Sequence, residues 1–236
     1  MSVAPMPQHV VPSRVPAART AGRQRRAEPV TGRVRRDGKF FRIGADKFYV
    51  KGVTYGPFAP NRAGEPFPER ARARADFQML LDLSANCLRI YDVPPTWFMD
   101  LAHEMGLRLF VDVSWPKNLE FVRDQKIAGQ AREAVRDAAV RCGNHPAVFA
   151  ISVVNEVPPD LVRFGGRHEI EDFIDELVRI GRREAPQCLF TFANFPTTEY
   201  LRPREIDFVC FNVYLHEDKQ FRNYLARLQN IAGESR

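Results

Sequence analysis

Six short, almost unbroken apolar runs punctuate this chain, at Val50–Tyr55, Asn86–Tyr91, Leu107–Val113, Ala147–Val154, Cys188–Ala193 and Ile206–Val213. Segments of helical length separate most of them, near Pro68–Leu83, Pro95–Met105, Ile127–Cys142 and His168–Glu184, and another follows at Asp218–Ile231. A run apolar at every position, not at every second one, buries both faces of its strand. That requires a parallel sheet covered by helices.

Two architectures share this alternation. A doubly wound dinucleotide fold would place a G-x-G-x-x-G turn after its first strand, and Gly52-Val53-Thr54-Tyr55-Gly56 lacks that spacing. The expected fold class is therefore α/β, of the (β/α)8 TIM-barrel type. A full barrel needs about 250 residues and eight units; this chain of 236 residues shows about six, so an incomplete barrel is expected. Lys39–Ile43 and Lys47–Val50, on either side of the turn-forming Gly44-Ala45-Asp46, read as a short N-terminal hairpin that caps the bottom of the barrel.

Charge divides the chain unevenly. The formal net charge is +6, yet residues 1–39 hold nine Arg or Lys against Glu28 and Asp37, which leaves the remainder at −1. Residues 1–36 are rich in Pro, Ala and Arg and contain no aromatic residue. They cannot bury enough apolar surface to offset ordering, and the expected division is a disordered basic tail over 1–36 and a barrel domain over 37–236. The near-neutral folded part argues against nucleic-acid binding. No apolar run is long enough for a membrane span, and none follows the early basic residues as a secretory signal would require. Cys87, Cys142, Cys188 and Cys210 form no C-x-x-C pair, which fits a reducing cytoplasm. No His, Cys or carboxylate cluster has metal-ligand spacing, so neither a metal nor a cofactor is expected.

The ends of the apolar runs carry the chemistry. Tyr55 follows the first, and Arg89, Tyr91 and Asp92 stand at the second. Asp112 and Trp115 close the third, Asn155 and Glu156 the fourth, Asn194 the fifth, and Asn212, Tyr214 and His216 the sixth. A barrel gathers these ends on one rim. Aromatic faces pack on sugar C–H faces, while amides, Arg and carboxylates bind hydroxyls, so the mixture suits carbohydrate.

Two stretches also resemble a known family. Asn86-Cys87-Leu88-Arg89-Ile90-Tyr91-Asp92-Val93-Pro94, followed by Phe98-Met99-Asp100-Leu101-Ala102-His103-Glu104-Met105-Gly106-Leu107, resembles the second barrel unit of retaining glycoside hydrolases in clan A, above all the family 2 catalytic domain. Asn155-Glu156 after a fourth strand resembles that clan's acid/base signature. The resemblance implies Glu156 as general acid and then base, Asn155 on the sugar 2-hydroxyl, and Arg89 and Tyr214 orienting a nucleophilic carboxylate. Tyr55, Tyr91, Asp92, Trp115 and Asn194 are the expected substrate contacts. The chain departs from the pattern at Asp92, where family 2 members often carry His. It also shows no seventh strand to bring the nucleophile; Asp92, Asp112 and Glu217 are the positional substitutes. Three readings stay open: a retaining β-glycosidase or transglycosidase complete only in a longer chain, a degenerate carbohydrate-binding barrel, and an interaction protein that binds through its basic tail. The open edges of a six-stranded barrel also lead one to expect an oligomer or a missing C-terminal segment.

Overall fold

Six parallel strands stand side by side in the order in which the chain makes them. The computed structural model describes residues 32–233. Most of the segment expected to be disordered, residues 1–31, lies outside that range.

The described chain opens with β1 (Val34–Asp37), β2 (Phe40–Ile43) and β3 (Asp46–Phe48), an antiparallel meander in that order. The expected hairpin is thus three strands. Its extra member, β1, begins inside the stretch read as tail, because Val34 is 1% exposed opposite Ile43. The folded part therefore begins ahead of residue 37.

The parallel sheet follows as β4 (Gly52–Thr54), β5 (Cys87–Ile90), β6 (Arg108–Asp112), β7 (Val148–Asn155), β8 (Leu189–Asn194) and β9 (Cys210–Phe211). The pairing order is sequential throughout, which excludes the doubly wound alternative, whose strand order reverses. Between strands lie α1 (Arg70–Asp82), α2 (Thr96–Glu104), α3 (Gln125–Ala138), the short α4 (Pro159–Gly165) and α5 (Arg167–Glu184), and α6 (Asp218–Gly233) follows β9. No described helix is long and apolar enough to cross a membrane.

Alternation along the strands sorts the core into two layers, except on β7, where a register shift against β6 leaves the neighbours Phe149 and Ala150 in the same layer. On β5, Leu88 and Ile90 join the large outer core with Phe77 of α1 and Phe98 of α2. Cys87 joins the inner cluster with Phe110, Phe149 and Ala150, which Val34, Ile43, Phe41 and Phe48 of the meander close from below. Phe149 sits at its centre, 5.9 Å from the ring of Phe41 and 6.4 Å from that of Phe208. The meander is a plug, and it leaves the opposite, C-terminal rim open for chemistry.

The sixth strand is shorter than its apolar run. Ahead of Cys210 the ladder passes in part to side chains: Phe190 N donates to Asp207 Oδ2 at 2.7 Å and Thr191 Oγ1 to the Phe208 carbonyl at 2.6 Å. Helix α5 anchors the same segment, for Asp175 accepts from Arg204 N and Glu205 N and Glu171 accepts from Arg202 N.

Candidate active site

Strand β7 is eight residues long and buried up to its last position. Pro158 and Pro159 follow, and a proline has no N–H to continue a ladder, so the strand must end and Pro159 opens α4 instead. Glu156 sits at this break. Its N–H donates to the Ala193 carbonyl of β8 at 2.7 Å, after which its φ of 55° turns the chain out of the sheet. Left-handed backbone costs a residue with a Cβ about 1–2 kcal/mol, and such positions cluster at functional sites.

Arg89 organises the rim. Inward-facing on β5, it donates from Nε to Asp112 Oδ2 at 2.6 Å, from Nη1 to Asn212 Oδ1 at 2.6 Å and from Nη2 to Asn155 Oδ1 at 2.9 Å. The guanidinium therefore joins β5 and β6 to the ends of β7 and β9 across the curl of the sheet. Burial works to lower its pKa, but the bond and charge of Asp112 outweigh that and raise it. Because Arg has only donors, the atom of each Asn that faces it must be oxygen. Asn212 Nδ2 then reaches Asn155 Oδ1 and Glu156 Oε1, both at 2.7 Å. Tyr214, 65% exposed, donates to the same Glu156 oxygen at 2.5 Å, and this bond more than burial lifts its pKa to about 12. The second carboxylate oxygen of Glu156 and the Nδ2 of Asn155 take no part in these bonds.

Lys117 closes the network from the β6–α3 connection. Its ammonium donates to the carbonyls of Asn155 and Glu156. Burial pushes its pKa down, and the negative charges of Glu156 and Asp112 pull it back up.

With this geometry in view, known proteins can be compared. No family model matches the chain. The β-glucuronidase of Bifidobacterium dentium, solved with coumarin-3-O-glucuronide, superposes with a TM-score of 0.66 at 21% identity, over 85% of this chain and 34% of its own. That of Ruminococcus gnavus, solved with D-glucuronic acid, gives 0.67 at 19%, over 84% and 35%. The Parabacteroides merdae enzyme gives 0.67 at 17%, over 84% and 25%. What these structures share with this chain is the fold, an α/β barrel built here of six parallel strands. Among curated proteins, the 1,3-β-glucanosyltransferase gel1 of Aspergillus fumigatus is 29% identical over 34% of this chain and 19% of its own length. The chain thus spans no more than 35% of any of these proteins.

Within this barrel the expected site residues divide. Glu156, Asn155, Arg89 and Tyr214 meet in one hydrogen-bonded cluster. Tyr91 lies beside them, its ring 5.5 Å from the Arg89 guanidinium. Asp92 is half-buried at the same strand end, and burial raises its pKa.

Three expected substrate contacts are engaged elsewhere. Tyr55 is 9% exposed, packs against Phe58 and Phe77 and donates to Asp76 on α1. Trp115 is partly buried, its ring meeting Phe121 in a T-shaped contact at 5.1 Å while its Nε1 donates to the Val153 carbonyl. Asn194 spends its amide on the turn after β8, giving to the Thr198 carbonyl and accepting from Thr198 Oγ1 and Phe195 N. Asp112 is also withdrawn as a substitute nucleophile, because it is 2% exposed and tied to Arg89. Asn212 and Lys117 complete the site. Asn212 was visible as a strand-end amide; Lys117 lies in a connection whose sequence carries no signal for it.

Proposed function

We propose that this barrel carries the acid/base half of a retaining glycosidase site of the clan A, family 2 type, acting on O-glycosidic bonds of β configuration. The observation that supports it is the half-engaged Glu156 carboxylate. One oxygen is held by Asn212 and Tyr214, which fixes the plane of the group and leaves the other oxygen to give a proton to the glycosidic oxygen. The same oxygen then takes a proton from water as the glycosyl-enzyme is hydrolysed. Asn155, its carbonyl oxygen committed to Arg89 and Asn212, has its amide donor left for the sugar 2-hydroxyl.

Retention needs a nucleophilic carboxylate about 5–5.5 Å from the acid. We assign it to no described residue and place it in a further strand unit beyond them. A cytoplasmic setting belongs to the same proposal, since the four cysteines are free thiols. The locked state of Asp112 favours one second reading, a barrel that binds sugar without turnover.

In the protein that includes this further strand unit, aryl β-glycosides graded by leaving group separate the two. Glu156→Gln is expected to lower kcat by roughly 10²–10⁴-fold for poor leaving groups while sparing activated ones. Equal turnover by both proteins removes Glu156 from the acid role. Calorimetric sugar binding with no turnover by the parent protein selects the second reading.

A further inference from the structure

The connection from β6 to α3 is braced at its α3 end by side chains of its own. Glu120 accepts hydrogen bonds from the N–H groups of Val122, Arg123 and Asp124, and Asp124 caps α3 by accepting from Lys126 N and Ile127 N. Phe121, 1% exposed, packs beneath Trp115. From this braced segment two side chains reach over the end of β7. Trp115 Nε1 donates to the Val153 carbonyl at 2.8 Å, and Lys117 Nζ donates to the carbonyls of Asn155 and Glu156.

Those two carbonyls flank the left-handed backbone of residue 156, where φ is 55°. In a strand, successive carbonyls point to opposite sides. A single donor can serve both only when the residue between them is turned out of extended geometry. One ammonium, with three donors on a compact head, meets that requirement.

We propose that Lys117 is a positioning residue of the site, clamping residue 156 in the left-handed conformation that brings its carboxylate to Asn212 and Tyr214. The inference rests on the reading of Glu156 as acid/base. Lys117 touches no reacting atom in this scheme; it decides where the acid stands. An acid displaced by about an ångström loses on the order of 10²-fold in rate.

The test uses the full chain with ¹³C,¹⁵N-labelled glutamate and reads the Cα and C′ shifts and the HN–Hα coupling of residue 156. Lys117→Met and Lys117→Ala are expected to move it out of the left-handed region with cooperative thermal unfolding retained. Lys117→Arg, which keeps the donors, is expected to hold it there. In the protein that includes the further strand unit, the first two variants should lower kcat on an aryl glycoside about ten- to a hundredfold with KM changed less than about twofold. Residue 156 remaining left-handed in whichever of the two variants folds overturns the proposal. This readout does not depend on turnover, so its failure is separate from failure of the acid/base reading, which Glu156→Gln tests.

Discussion

At the scale of single residues, the site is governed by one cation placed where no apolar side chain could substitute. Arg89 has a side chain 19% exposed, and that of Asp112 is 3% exposed. One oxygen of Asp112 already lacks a partner among the described groups. Removing the guanidinium would strand a buried carboxylate as well as loosen Asn155 and Asn212. Arg89→Met is therefore expected to cost roughly 3 kcal/mol or more, measured by chemical denaturation. The double variant Arg89→Met/Asp112→Leu should recover most of that loss, and simple additivity of the two single changes would show the pair to be uncoupled. That Arg89, Asn155, Glu156 and Tyr214 stand on one rim was legible in sequence, because each lies at or beside the end of an apolar run and the family resemblance marks the same four. Tyr55, Trp115 and Asn194 close such runs too, yet they turn to α1, to the Val153 carbonyl and to the β8 turn. Strand position says where a backbone ends, not which way the next side chain points.

At the scale of elements, the seam between α5 and β8 shows which of two opposing effects wins. Gly181 lies inside α5, where alanine would favour the helix by about 1 kcal/mol. A Cβ there would stand 2.3 Å from Phe190 Cε1 and 2.8 Å from Cζ, and Phe190 is fully buried. The ring cannot swing away without opening the core. Gly181→Ala should lower stability by about 1–3 kcal/mol despite its better propensity, with the loss read from the urea midpoint. A neutral or stabilising result would mean that the helix slides away from the sheet at little cost. The short β9 has a related cause. Ile206–Val213 is apolar enough for a longer strand, but ahead of Cys210 its pairing with β8 is shared between one backbone bond, Asp207 N to the Phe190 carbonyl, and the side chains of Asp207 and Thr191.

For the whole molecule, burial of thiols sets the response to alkali. Burial pushes Cys87 and Cys142 up to about 12 and Cys210 to about 11, against about 8.5 for a free thiol. Between those limits the unfolded chain has released protons that the folded chain still holds. Stability is thus intact below about pH 8.5 and falls as pH rises towards 11–12, by up to about 1.4 kcal/mol per pH unit for each thiol. Urea titrations at a series of pH values from 7.5 to 10.5 should show this decline, and Cys142→Ala should make it shallower by one thiol's share. A slope unaltered by that substitution would place the alkaline sensitivity elsewhere.

The amino-acid sequence by itself determined the α/β class, the run of parallel strands and the rim on which Glu156 stands. Periodicity and chain order are properties of local pattern, and proline after β7 ends that strand whatever surrounds it. Only the tertiary structure decided that β5 and β9 approach each other across the barrel. That curl brings Arg89 to Asn212, residues 123 apart in sequence, and carries Lys117 to the carbonyls beside Glu156. Contacts of this kind are set by sheet closure and by how one connection is braced, and neither leaves a period or a spacing in the chain.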